Sequence, residues 1–592
     1  MEKPKRLFDI PKYQKEKYNL SLALITKYNG NWQAISTEQL IKDANSLSKA
    51  LLDFGMQPND KIAIITNRSR TEWNVTDYAI LQIGAINVPI YDSTSSYDIK
   101  YIFNHAEVKM CFVANQKLFN KIKAIQPGIP TLKRIISFDE ITETDSYKDA
   151  VNLGEKLNND QELNLIKNAI EGNDLATIIY TSGTIDKPKG VMLSHRNILS
   201  NLEGTESVIP ILPKNPKSLS FLPVSHIFER MMQYLYQVNG ISVYFAESID
   251  SLSNDINTVK PHVMTAVPRV IEKIHDKIIA KGKELGTIKR KIFNWAIEIG
   301  YKYEADGVNG KKYEKNLSRA RKLVFSKWKD ALGGNIQTIF CGSSKLNPDL
   351  ARIFNAAGFN LMDGYGLTET SPVISVNAPY PFRSKIGTVG KPIDKVIVKI
   401  SKDNEILVKG PNVMQGYYKD AEKTNKTIID GYLHTGDLGE LDADGFLYIT
   451  GRKKETFKTS GGKYINPEKI EIELKKSKYI EHAVVIGENE KFPAAILQPN
   501  FEAIKQENPE LKSLSNLDFC NNNRVKTIIE KGLVAVNEKL GQWEKIKKFE
   551  LTPDVWTIEY GHLTPTLKVK RDIIKSKYYS LYNKIYRPSS IS

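Results

Sequence analysis

Apolar positions recur along this chain in two different periods. Ser36-Thr-Glu-Gln-Leu40 opens a stretch with apolar residues at helical spacing that ends near Gly55; a serine ahead of such a run reads as an N-cap. Lys61-Ile-Ala-Ile-Ile-Thr66 is a short continuous apolar run, as expected of a strand buried on both faces. Helical spacing returns from Trp73 to Ile83, and Ala85-Ile-Asn-Val-Pro-Ile-Tyr91 reads as another strand. This alternation predicts parallel sheets covered by helices, and the same rhythm recurs over 217–247 and 335–375. From about 383 to 450 the pattern shortens to Gly-punctuated strands (Lys395–Ser401, Glu405–Lys409, Gly445–Thr450), predicting a small β subdomain. The polar run Gly451-Arg-Lys-Lys-Glu-Thr456 reads as a linker, and 467–592 as a smaller α+β unit. The expected fold class is α/β: a large N-terminal domain of parallel-rich sheets layered with helices plus the small β subdomain, then a smaller α+β domain.

Charge changes the picture in one region. The formal net charge is +16, and the segment from Lys273 to Lys329 carries 16 Lys/Arg against 6 Asp/Glu. Within it Ile288, Ile292, Trp295 and Ile299 fall on one helical face. Two readings follow. The helix is an amphipathic surface element suited to an anionic membrane, or its apolar stripe packs on its own domain. No zinc-ligand, RNP or helix-turn-helix pattern accompanies the charge, so no nucleic-acid partner is expected.

The 592 residues suffice for several cores, and 41% apolar with 26% charged residues is ordinary for a globular protein. Cys111, Cys341 and Cys520 are far apart, with no metal-type spacing and no disulfide framework, which suits a reducing compartment. No secretory signal and no membrane-spanning run is expected. A cytoplasmic location, with peripheral contact on the inner face of a membrane as an option, fits these features.

The most informative stretch is 174–195. Leu175 to Tyr180 reads as a buried strand running into Thr181-Ser-Gly-Thr-Ile-Asp-Lys-Pro-Lys-Gly190. Hydroxyls at Thr181, Ser182 and Thr184, a close-approach glycine at Gly183 and the cations Lys187 and Lys189 are equipment for a polyphosphate. The Gly-Lys-Ser/Thr ending of a Walker A loop is missing. The stretch resembles the phosphate loop of the adenylate-forming superfamily of acyl-CoA synthetases, luciferases and adenylation domains. Further segments match in the same order: Phe221-Leu-Pro-Val-Ser-His-Ile-Phe-Glu-Arg230, Pro261-His-Val-Met-Thr-Ala-Val-Pro-Arg-Val270, Asp363-Gly-Tyr-Gly-Leu-Thr-Glu-Thr-Ser-Pro372, Tyr432-Leu-His-Thr-Gly-Asp437, Gly451 to Lys463, and Leu563-Thr-Pro-Thr-Leu-Lys-Val-Lys-Arg571. The resemblance covers nearly the whole chain and is strongest to long-chain fatty-acid:CoA ligases.

The resemblance implies that a carboxylate attacks the α-phosphorus of MgATP and that CoA then displaces AMP. It implies an ATP/AMP site built from Thr181, Ser182, Gly183, Thr184, Lys189, Asp363, Gly364, Tyr365, Thr368, Asp437 and Arg452. Glu369 would hold Mg²⁺, Thr184 would serve the chemistry, and His226 would line the acyl or carboxylate site. Lys570, or Lys568 if the register differs by two, would be the catalytic lysine. Domains would span 1–452 and 457–592, the second turning about a hinge at 453–456 that contains Lys454, with Gly461 and Gly462 meeting CoA. ATP, Mg²⁺, CoA and a fatty acid are the implied small molecules.

The chain departs from the family pattern at four places. Ile185 and Asp186 replace a threonine and a glycine beside the phosphates, where an extra carboxylate at ~5 Å would cost about 3 kcal/mol per charge pair at an effective dielectric near 20. Tyr432 replaces a tryptophan, Cys341-Gly-Ser-Ser344 replaces a small-residue run, and Asn404 stands at a turn glycine. An adenylating enzyme for another acid or a carrier-protein acceptor, and a non-catalytic relative impaired at Ile185 and Asp186, are the alternatives.

Overall fold

The computed structural model describes residues 2–181, 187–248, 250–378 and 384–587. The chain divides into a larger unit (1–399, 407–435 and 441–448) and a smaller one (400–406, 436–440 and 449–592). The larger unit holds two sheets layered with helices. One runs Gly416–Tyr417, Lys189–Ser194, Leu175–Thr181, Ile86–Tyr91, Lys61–Thr66, Val108–Val113, Arg134–Ser137. The other has nine strands, with Asn360–Gly366, Thr338–Cys341, Val263–Ala266, Lys217–Ser220 and Ser242–Phe245 in succession.

Most pairings are parallel, as the apolar strand runs predict. Lys61–Thr66 pairs in parallel with Ile86–Tyr91 on one side and Val108–Val113 on the other, and Ile62 to Ile65 are fully buried. The helix Thr37–Asp53 begins where the sequence places it, with Ser36 Oγ accepting from the Gln39 N–H at 3.0 Å. Parallel strands present their ligands at their carboxyl ends. Thr181, Cys341 and the Asp363–Gly366 segment all occupy strand ends of this kind.

The small β sheet is also found, with strands Ile397–Ile400, Glu405–Lys409, Tyr432–Leu441, Ile428–Ile429 and Leu447–Arg452. Asn404 adopts φ 63°, a left-handed value that asparagine tolerates in place of glycine. The polar run is only partly a linker. Gly451 and Arg452 complete a strand, and a turn over 453–455 follows, closed by Thr456 N–H on the Arg452 carbonyl at 2.9 Å.

In the smaller unit a three-stranded sheet (Ile480–Ile486, Ala494–Pro499, Phe549–Leu551) divides two cores by strict alternation. Ala483, Val485, Ala495 and Leu497 face Ile470 and Ile529. Val484, Ile486, Ala494 and Ile496 face Trp556, Ile574 and Ile585. A one-residue slip would exchange the faces.

The basic segment corrects the expected helical face. Helix Thr287–Tyr301 buries Phe293, Ala296 and Gly300, whereas Ile288 and Ile292 are exposed and Trp295 and Ile299 half-buried. Two close approaches select that face. A Cβ at Gly300 would lie 2.8 Å from Ile353, and one at Gly282 would lie 2.2 Å from the Phe293 ring. No helix among the described residues is long and apolar enough to cross a membrane.

Candidate active site

Strand Leu175–Thr181 returns as Lys189–Ser194 in an antiparallel hairpin whose register pairs Thr181 with Lys189. Ser182, Gly183 and Thr184, with the departures Ile185 and Asp186, lie outside the described residues. On the described side of the hairpin, Thr181 Oγ1 is buried without a hydrogen-bond partner among those residues. A buried, unpaired hydroxyl is costly unless a ligand satisfies it. Lys189 Nζ donates to Glu369 Oε1 at 3.1 Å and to the Tyr417 hydroxyl at 2.7 Å, lying 4.3 Å from the Tyr417 ring centre. The Tyr417 hydroxyl donates to the same Glu369 oxygen at 2.9 Å. Burial, reinforced by the Glu369 carboxylate, pushes the Tyr417 phenol well above its ordinary range, so it stays a proton donor. Two of the ammonium's three donors are thus assigned, and Glu369 Oε2 has no partner among the described residues.

Backbone pins hold Glu369. It sits in a single helical turn, Thr368–Thr370, after strand Asn360–Gly366. Thr370 Oγ1 donates to the Pro372 carbonyl at 2.6 Å, Asn201 Oδ1 accepts from the Val373 N–H at 2.5 Å, and the Met414 N–H donates to the Glu369 carbonyl at 2.9 Å. Gly366 is required for the turn to close, because a Cβ there would meet the Pro372 carbonyl oxygen at 1.7 Å. Tyr365 and Gly364 precede it on the same strand, opposite Ser375 and Val376.

Asp363 pairs in register with Cys341 of the adjacent parallel strand. Burial pushes its carboxyl up to about 8, with Lys345 and the Gly364 N–H opposing. It can accept a hydrogen bond either as carboxylate or through the carbonyl of its acid form. His226 caps helix Ile227–Val238, its Nδ1 accepting from the Phe228 N–H at 3.2 Å. Burial lowers its pKa to about 4, so the imidazole is neutral at pH 7, which a helix N-terminus favours. One turn on, burial pushes Glu229 up to about 8; one oxygen accepts from Ser220 Oγ at 2.5 Å and the other is buried without a partner among the described residues.

The smaller unit carries the remaining candidates. Asp437 is buried and pairs with Arg452 Nε at 2.9 Å. Lys454 is exposed in the turn after Arg452. Gly461 and Gly462 tip the hairpin between Phe457–Lys458 and Tyr464–Ile465; Gly462 has φ 75° and open space where a Cβ would stand. The two lysine candidates occupy different surroundings. Thr564 and Lys568 close a tight turn, the Thr564 N–H donating to the Lys568 carbonyl at 2.7 Å and Thr564 Oγ1 accepting from the Lys568 N–H at 3.0 Å. The residue before Lys568, Leu567, has φ 62°, which costs a bulky side chain about 1 kcal/mol or more. Lys568 is half-buried and, with Arg571 and Arg452, holds the Glu455 carboxyl below its usual range against burial. Lys570 is exposed at the N-cap of helix Arg571–Lys577, its N–H donating to the His562 carbonyl at 2.9 Å.

Tyr417 and Glu229 escaped the sequence reading. Glu229 stood inside a quoted motif without a role. Tyr417 carries only a Gly-Tyr pair as signal, and its two-residue strand Gly416–Tyr417 joins Lys189–Ser194 from far along the chain.

The model of the AMP-binding enzyme family matches residues 13–418, and that of the AMP-binding enzyme C-terminal domain matches 454–587. Long-chain-fatty-acid–CoA ligase FadD15 of Mycobacterium bovis is 31% identical over 94% of this chain and 93% of its own length. Fatty acyl-CoA synthetase A of Dictyostelium discoideum is 31% identical over 94% of this chain and 86% of its own. Among solved structures, O-succinylbenzoate coenzyme A synthetase of Bacillus subtilis, in complex with ATP and a magnesium ion, shares the fold at TM-score 0.68 with 20% identity, over 96% of this chain and 99% of that one. With both family models in chain order and near-complete alignment at this identity, the chain belongs to the AMP-binding enzyme family.

Proposed function

We infer that this protein is an ATP-dependent ligase that activates a long-chain fatty acid as acyl-AMP and transfers the acyl group to CoA, releasing AMP and pyrophosphate. The observation that carries this reading is the Lys189–Glu369–Tyr417 cluster beside the Thr181 hydroxyl, which has no partner among the described residues, at the carboxyl ends of the strands. Fatty-acid chemistry is supported by the names of the two aligned relatives, and long chains by that of the Mycobacterium bovis relative.

A carboxylate and a triphosphate repel, so the reaction needs fixed donors aimed at the charge that develops on phosphorus. Lys189 and Thr181 bind the phosphates, with Ser182, Gly183, Thr184 and Thr368 as further donors. Tyr417 holds Lys189 and Glu369 at their spacing. Glu369 Oε2 would take magnesium, which needs only one or two carboxylates beside phosphate oxygens. When bound, that ion would offset phosphate charge. Tyr365, Gly364 and Asp363 receive adenine, and Asp437, oriented by Arg452, accepts from ribose hydroxyls. The neutral His226 borders the acyl carboxylate. Residues 457–592 act as a mobile domain turning about 453–456, with Lys454 in that turn. The domain supplies a lysine for adenylation and the Gly461-Gly462 turn for CoA. The strained turn and the half-burial favour Lys568 for that lysine, with Lys570 second.

Pyrophosphate release from MgATP with palmitate, with and without CoA, tests the reading. CoA-stimulated release is expected. Release that CoA does not stimulate would mean another acceptor, and no release with any fatty acid would overturn the assignment.

A further inference from the structure

The basic segment ends in a feature that the ligase reading does not use. Helices Pro268–Lys283 and Thr287–Tyr301 form a hairpin closed by Phe293 on Gly282. Beyond that contact none of the described residues buries the tip. Every residue from Lys283 to Ile292 is exposed, Ile288 at 76%, Ile292 at 39% and Leu285 at 37%. Ile288 and Ile292 are four residues apart and share one helix face. Lys289 and Lys291 flank that stripe, and Arg290 stands on the far side. From Lys281 to Ile292 the only acid is Glu284, and the whole segment carries 16 Lys/Arg against 6 Asp/Glu.

We propose that this tip is a docking surface for an anionic lipid bilayer, with Leu285, Ile288 and Ile292 entering the headgroup boundary and Lys289, Arg290 and Lys291 facing lipid phosphates. Charge complementarity selects the occupant. Apolar residues bordered by basic side chains on a helix of the surface match interfacial membrane helices, and lysine stems can lie along the apolar stripe while their ammonium groups reach phosphate. Protein interfaces are depleted in lysine and enriched in aromatics, and single-stranded nucleic acid is bound by stacking on aromatics. None of the exposed side chains from Lys283 to Ile292 is aromatic. Such a site would keep the enzyme close to a surface that collects fatty acids.

Co-sedimentation of the full-length protein with vesicles tests this without requiring turnover, so its failure and that of the ligase reading are separable. Vesicles of phosphatidylcholine with phosphatidylglycerol should bind the wild type, pure phosphatidylcholine vesicles should bind it far less, and added salt should weaken binding. Losing a basic residue near an anionic surface costs roughly fivefold in partition. Lys289→Glu/Lys291→Glu should therefore lower binding by at least ~25-fold, and Ile288→Asn should lower it without changing the net charge. Both variants alter exposed side chains, and pyrophosphate release with a short, water-soluble acid should remain at wild-type level. Equal binding to both vesicle types, retention of binding by both variants, or binding of the tip to RNA but not to vesicles would overturn the proposal.

Discussion

Two lysine sites in this molecule are built in opposite ways. Lys189 stands on a sheet strand, its ammonium held by Glu369 and Tyr417, and Glu369 is fixed in turn by backbone bonds from Met414 and the Thr370–Val373 turn. Lys568 stands in a five-residue turn of the smaller unit, held by Thr564 and strained at Leu567, with its side chain only half-buried. The first site has its donors fixed before a ligand arrives, which is where electrostatic catalysis gains most. The second keeps a long cation on a short rigid turn, suited to a group that engages in one half of a reaction and withdraws in the other. The proposed function gives binding charge to the core-anchored site and transition-state charge to the turn.

The largest expected effect sharpens that contrast. Lys568→Ala should lower adenylation about 10²–10³-fold, the usual cost of a lost transition-state donor, with an unchanged melting temperature. Lys570→Ala should cost less than tenfold; the reverse ranking in steady-state pyrophosphate release would move the role to Lys570. Glu369→Gln keeps shape but removes the charge, and should lower turnover about 100-fold while raising the magnesium concentration needed for half-maximal rate. Tyr417→Phe removes one hydroxyl bonded to two charged groups, so about a tenfold fall in kcat/KM for ATP is expected. Combined with Glu369→Gln it should fall short of additivity, because both act in one cluster; additive losses would mean that Tyr417 works independently.

The smallest effect is in pH. The Asp363 carboxyl is raised to about 8 in the fold from an unfolded value of about 4. Between those values the folded state binds more protons than the unfolded state, so stability falls as pH rises from about 4 to 8. Asp363→Asn should flatten part of that slope in thermal melts. In the proposed site, ionised Asp363 would accept the adenine amino group more strongly, so the KM for ATP should fall a few-fold between pH 6.5 and 8.5 in the wild type and not in the variant.

The sequence disclosed the sheets because buried parallel strands are written as continuous apolar runs, as at Lys61–Thr66, and it disclosed Glu369 and Lys189 because they lie in contiguous motifs. Other features required the third dimension. Tyr417 reaches Lys189 through a two-residue strand whose pairing no local pattern encodes. The face of helix Thr287–Tyr301 was set by close packing at Gly282 and Gly300, which small residues permit and hydropathy does not report. The preference for Lys568 over Lys570 comes from the φ of Leu567 and the half-burial of Lys568.

The most direct test separates the two half-reactions in Lys568→Ala. Single-turnover formation of palmitoyl-AMP from MgATP should collapse, while conversion of supplied palmitoyl-AMP and CoA to palmitoyl-CoA should proceed near the wild-type rate. Equal loss in both half-reactions, or unimpaired adenylation, would contradict the assignment of that turn to adenylation alone.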